Sequence, residues 1–214
     1  MPDPVCVRCG GPVGTSGADG GASWSCPTHG TVEPLHAPLP AEHHHLWDVA
    51  SSSAVPVWMP VPLPQGWTAS GVRRTGGTGQ ARAVAVSFQG PGVASRVAEL
   101  VIVSEEPGVG LGAAYAGIDG TDPGPEITSL PRDTSLHAGR FPTSLWSLPV
   151  SDRSAYVGEA YGCWLWIITW PVTEWMVVHD ALSLHDLRVV DVRTRLTEVP
   201  VSALTPRLSF DPGR

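Results

Sequence analysis

Apolar residues in this chain come in short runs cut by glycine and proline, rarely at helical spacing. The segment Ala81–Phe88 alternates small and branched residues and predicts a strand. Glu99–Ser104 contains Leu100-Val101-Ile102-Val103, a short buried run, and Ser154–Glu159 predicts a shorter strand. Gly162–Trp170 is apolar at both parities, which predicts a central strand covered on both faces. Pro171 ends it. Trp175–Val178 is expected to be its hairpin partner across Pro171-Val172-Thr173-Glu174, and Leu182–Val190 is read as a short helix of poor period. Val55–Pro64 alternates proline with apolar residues, which fixes φ and predicts extended chain. Trp58, Met59 and Trp67 would leave a large apolar patch if displayed, so a buried strap is expected there rather than a proline-rich ligand. The strands are not spaced by amphipathic helices, and no internal repeat is found. The fold class expected is α+β, with an antiparallel-sheet-rich domain.

Composition supports that picture. The 214 residues include 24 Gly and 22 Pro, which favours turns and short strands over long helices. Apolar residues are 42% and charged residues 15%, so the chain is expected to fold. The net charge of −7, with no lysine, speaks against binding to nucleic acid or anionic membranes. No apolar run is long enough for membrane insertion, and Met1-Pro2-Asp3-Pro4 does not read as a secretory leader. A cytoplasmic setting is the expectation.

Candidate chemistry starts near the N-terminus. Cys6-x-x-Cys9 and Cys26-x-x-His29 are two tight pairs, each followed by a glycine, Gly10 and Gly30. Two donors spaced by two residues can bind one ion from one turn, and two such turns complete a tetrahedron. Zinc fits this donor set better than an iron–sulfur cluster does. A disulfide is disfavoured in a cytoplasmic chain. Four protein ligands leave no position for a catalytic water, so Zn2+ is expected to be structural. The Gly11–Gly21 loop between the pairs is too rich in small residues to fold unaided, and Trp24 adds one large apolar side chain. Cys163, in the apolar run, reads as a buried thiol.

Three regions are therefore expected: a zinc ribbon at 1–35, a linker at 36–55 and an α+β domain at 56–210. The linker carries Pro38, Pro40, Glu42-His43-His44-His45 and Ser51-Ser52-Ser53. Its histidines read as exposed polar residues, because adjacency alone defines no chelating geometry; passing metal contact is the sharper alternative.

A second candidate region runs from Glu105 to Pro125. Glu105, Glu106, Gly108, Gly110 and Gly112 lead to Tyr115, Asp119 and Asp122. Gly108-x-Gly110-x-x-Ala113 is a loose dinucleotide match, but two carboxylates precede it and the βαβ context is missing. A glycine-rich strand exit is the plainer reading. Adjacent carboxylates point apart on a strand, so a site there needs a second acid from elsewhere. Trp58 and Trp67 are included as candidate ligand contacts of an aromatic cleft, against the plainer reading of the nine tryptophans as core. No nucleophile elbow, Walker loop or His-Glu-x-x-His is present.

These stretches together resemble an uncharacterised actinobacterial family of unknown function. The pieces that carry the resemblance are the two metal pairs, Val55-Pro56-Val57-Trp58-Met59-Pro60, Leu63-Pro64-x-Gly66-Trp67, Glu105–Gly112, Asp122-Pro123-Gly124-Pro125, Gly158-Glu159 with Trp164-Leu165-Trp166, and Leu204-Thr205-Pro206-Arg207-Leu208. The resemblance implies a bacterial cytosolic protein with a zinc ribbon, and it supplies no catalytic residue.

The reading that follows is a zinc-binding, non-enzymatic protein that binds an unknown protein or small-molecule partner. The alternative is a small-molecule enzyme or sensor with its site in the 105–125 loop. Ribbon-mediated nucleic-acid binding is disfavoured, since the ribbon offers only Arg8 as a basic side chain.

Overall fold

Alternate residues of the apolar runs enter two different cores, and that sets the architecture. The computed structural model describes residues 3–16, 23–77, 79–93, 96–125, 127–179, 182–189, 191 and 196–209. The first part of the chain forms β1 (Val5–Cys6), β2 (Gly14–Ser16), β3 (Ser23–Cys26), β4 (Gly30–Thr31) and β5 (Pro34–Leu35). Then come β6 (Leu39–Pro40), α1 (His43–Ser51), β7 (Trp58–Pro60), β8 (Thr68–Arg74), β9 (Ala83–Gly90) and β10 (Ala98–Glu105). The remainder holds α2 (Leu111–Ala116), β11 (Thr134–Ala138), β12 (Phe141–Ser147), β13 (Ser154–Ala160), β14 (Cys163–Trp170), α3 (Met176–His179) and β15 (Ser183–Asp186).

Ten strands make one curled sheet in the order β6-β8-β9-β10-β14-β13-β12-β11-β15-β7. Every neighbouring pair is antiparallel except β11 with β15. On one face lie Val84, Val86 and Phe88 of β9, Leu100 and Ile102 of β10, and Leu165 and Ile167 of β14. The opposite face takes Ala83 and Ala85, Val101 and Val103, Trp166, Ile168 and Trp170. An antiparallel strand usually wets one face, and then it alternates polar with apolar. Here both faces are covered, so the central strands read as continuous apolar runs.

Different parts of the chain cover the two faces. Leu46, Val49 and Ala50 of α1, with Val55, Val57, Trp58 and Met59, fill the first core. Tyr115 and Leu111 of α2, Leu208, and Val7 and Leu35 from the N-terminal module fill the second. The proline-rich segment is thus a buried strap, with Trp58 1% exposed and Met59 fully covered.

Three local expectations differ from the structure. Residues 36–55, expected to be an exposed linker, contain α1, whose apolar side chains enter the core. Burying one such side chain is worth about 1.5–3 kcal/mol. Trp175–Val178 does not pair with β14: Val172–Trp175 is a 3-10 turn and α3 follows it. Both edges of β14 are already taken, by β10 and β13, and the Glu174 carboxylate is buried, accepting the Val93 N–H at 2.8 Å. Within Leu182–Val190, Ser183–Asp186 is a strand between β11 and β7 rather than a helix, and residue 190 lies outside the described residues. Residues 17–22 of the glycine-rich loop also lie outside them. Among the described residues, no helix is long and apolar enough to cross a membrane.

Candidate metal centre

Two tight turns build the centre. In the first, the Cys6 N–H donates to the Gly11 carbonyl at 2.8 Å and the Gly10 N–H donates to the Cys6 carbonyl at 2.9 Å. The second joins β3 to β4 and carries Cys26 and His29. Gly10 and Gly30 close the two turns with φ of 65° and 66°, a left-handed conformation that a side chain would strain.

The donor atoms of Cys6, Cys9, Cys26 and His29 all lie within 4.8 Å of one another. Cys6 Sγ is 3.6 Å from His29 Nδ1, Cys26 Sγ is 3.7 Å from the same nitrogen, and the Cys9 and Cys26 sulfurs are 3.7 Å apart. A tetrahedron with metal–sulfur bonds of about 2.3 Å has edges of about 3.8 Å. A disulfide would need sulfurs about 2.05 Å apart. These separations are too long for a disulfide and suit ligands around an ion, and all four cysteines of the chain are free thiols. The Cys3His group can hold a metal ion.

Its electrostatics are uneven. Burial opposes ionisation at both Cys6 and Cys26. At Cys6 burial prevails and the thiol is raised to about 11. At Cys26 the backbone N–H groups of Thr28 and His29, then the His29 ring, outweigh burial and lower the thiol to about 6. The second turn therefore presents the more ready thiolate.

The module is seated on the sheet. Val7 and Leu35 are fully buried in the second core. The Gly76 N–H donates to the Pro34 carbonyl at 3.1 Å, and the His36 N–H donates to the Arg74 carbonyl at 3.1 Å. Arg82, immediately before β9, donates to Glu33 at 2.7 Å and to Glu106 at 2.6 Å. Arg8, between the two cysteines of the first turn, donates to the Gly108 carbonyl at 3.4 Å. The N-terminal module and the 105–122 loop, separate in sequence, are therefore neighbours.

Within the loop Glu105, Glu106 and Asp122 are engaged. Glu105 is fully buried at the end of β10, and its two oxygens accept the N–H groups of Leu111 at 2.6 Å and Gly112 at 3.1 Å. Burial raises its carboxyl to about 8, against the opposing pull of the Gly112 and Leu111 N–H groups and the Trp166 indole. Asp122 accepts from the Gly108 N–H at 2.9 Å, the Thr121 hydroxyl at 2.7 Å and the Trp164 indole at 2.7 Å. Burial works to raise Asp122, and these three bonds more than offset it, so its carboxyl is lowered. Gly108 and Gly110 turn the chain with φ of 86° and 91°. At Gly112 the Trp166 indole lies so close that a Cβ would come within 2.2 Å of it. Tyr115 is buried and donates its hydroxyl to the Leu208 carbonyl at 3.2 Å. Asp119 lines a hollow of 170 Å³ with Arg8 and His29.

Trp58 and Trp67 stand elsewhere. Trp58 belongs to the first core, and Trp67 lines an apolar cavity of 520 Å³ between the strap and Leu187, Leu196, Val199 and Pro200. The loop acids do not line that cavity. Sequence reading missed Arg82 and Glu33, which tie the module to the loop. Their partners lie 24 and 49 residues away along the chain, so no local spacing could reveal them.

No curated protein and no solved structure matches the chain. A protein-family model does, over residues 1–208. With nearly its whole length matched, the chain belongs to the family described as a family of unknown function (DUF6758).

Proposed function

We propose that this is a zinc-binding, non-enzymatic protein of the cytoplasm, in which residues 1–35 are a structural zinc ribbon. The observation that carries the reading is the convergence of three sulfurs and one imidazole within 4.8 Å, with three of their separations at 3.6 and 3.7 Å. Three thiolates and a histidine in a tetrahedron suit Zn2+, which has no geometric preference of its own to oppose that shape. Zinc there would cross-link the two turns and supply folding free energy to a module with few apolar side chains.

All four positions would be filled by protein, which speaks against a metal-activated water. Two of the loop acids speak against catalysis too, since Glu105 and Asp122 are already engaged by backbone and indole N–H groups. The remaining domain would bind a protein or small-molecule partner. The apolar cavity beside Trp67 has the size and lining of a small-molecule site.

A second reading, an enzyme or sensor using the loop, draws on the buried Glu105 and its raised carboxyl. The hydrogen bonds to both of its oxygens weigh against it.

Native mass spectrometry after dialysis tests the two readings. The first expects one retained zinc per chain, and none for Cys26→Ser. A Cys26→Ser protein that keeps its zinc and its stability would overturn the ribbon. A co-purifying small molecule lost on Asp119→Asn would move the reading to the loop.

A further inference from the structure

We propose that Glu42, His44 and His45 form a second, open divalent-cation site at the start of α1. The proposal does not depend on the ribbon.

One carboxylate oxygen and one nitrogen from each ring lie within 4.8 Å of one another. His44 Nδ1 is 3.5 Å from Glu42 Oε2, and the two imidazole rings are 4.0 Å apart at 45°. Three further features go beyond proximity. First, Glu42 occupies the N-cap position of α1, yet its side chain makes no capping bond to the helix and turns to His44 instead. Second, His45 Nδ1 lies 3.0 Å from the Pro40 carbonyl. That carbonyl can only accept, so Nδ1 carries the proton and the lone pair is left on Nε2. Metal-ligating histidines are oriented in this way by a backbone carbonyl. Third, α1 is anchored through buried Leu46, Val49 and Ala50, so the donors stand on a fixed base.

The neighbouring His43 faces away. Its Nε2 lies 3.4 Å from the Val199 carbonyl, which again can only accept. The run of three histidines therefore supplies two ligands, and Glu42 supplies the third. Two imidazoles and one carboxylate suit Zn2+, Ni2+ or Cu2+, with water completing the shell. The site is exposed, and the positive end of the α1 dipole opposes a cation there. Glu42 offsets part of that charge. Binding is consequently weaker than at a Cys3His centre and is lost on extensive dialysis.

The test uses the full chain without a polyhistidine tag, already loaded with zinc and dialysed. Ni2+ is titrated in by calorimetry, with far-UV circular dichroism as the folding control. The wild type is expected to take one Ni2+ per chain. His44→Ala and His45→Ala are expected to abolish that uptake, and Glu42→Gln to weaken it at least tenfold. His43→Ala is expected to leave it unchanged. No uptake by the wild type overturns the proposal, as does uptake that survives the His44→Ala/His45→Ala double variant. Loss of uptake in a folded His43→Ala protein does so too.

Discussion

Arg82 and Glu33 meet at 2.7 Å across the seam between the N-terminal module and the curled sheet. The same guanidinium reaches Glu106 at 2.6 Å, and the two carboxylates raise its pKa through these hydrogen bonds, that to Glu106 foremost. One side chain thus joins the module, the sheet and the acidic loop.

Replacing that side chain gives the first prediction. Arg82 is nearly half exposed, so water and salt screen both pairs. Arg82→Met is expected to cost no more than about 1–2 kcal/mol at low salt, and less at 1 M salt. Urea unfolding at the two salt concentrations measures it. A loss that is the same in both would mean packing, and not charge, holds the seam.

Removing metal is expected to reach further than the module. Val7 and Leu35 belong to the same buried cluster as Val101, Val103 and Trp166, so loosening the turns uncovers part of the sheet. A strong chelator is expected to lower the Tm by on the order of 10 °C, since each kcal/mol moves a chain of this size by about 2–4 °C. Near-UV circular dichroism is expected to change with it. An unchanged tryptophan signal after metal loss would show that the module and the sheet are energetically separate.

Glu105 gives stability a pH slope. Its folded carboxyl is raised to about 8, above the ordinary 4.5 of the unfolded chain. Below the lower value both states hold the proton, and the contribution is fully present. Between the two values the unfolded state releases its proton while the folded state keeps it, so stability falls as pH rises. The fall is expected to be a few kcal/mol at most, on the order of 1.4 kcal/mol for each unit of difference. Urea midpoints from pH 5 to pH 8 measure it, and Glu105→Gln is expected to flatten the slope. A wild type that gains stability over that range would mean the two amide bonds hold the carboxylate ionised.

Gly112 distinguishes packing from ligand cradling. Its missing side chain admits the Trp166 indole, which has no room to retreat in the core. Gly112→Ala is expected to cost about 1–3 kcal/mol, as overpacking does. Unfolding by urea reads it directly. If stability is untouched, the close approach of α2 to β14 is not what the glycine serves.

How much of this was legible depended on range. The β10 and β14 strands announced themselves through continuous apolar runs, β9 through its alternation of small and branched residues, and β13 through a shorter run. The α1 helix did not, since only Leu46, Val49 and Ala50 face inward and its first turn is three histidines. The segment after Trp170 was misread as a strand partner, because sequence cannot tell that β14 already has neighbours on both edges. At the site, the two Cys/His pairs that converge were plain from spacing alone. The burial of Glu105 was not, because it depends on a helix that begins six residues later and folds back over it.

The far edge of the sheet has a consequence for biosynthesis. Met59 of β7 pairs with His185 of β15, so the strap finds its hydrogen-bonding partner only when most of the chain has been made. Until then Trp58 and Met59 have no β15 beside them, and closure waits on a contact between distant parts of the sequence. On a ribosome the N-terminal quarter of this protein therefore emerges with apolar surface that it cannot yet bury, which makes it a natural client for chaperones during synthesis.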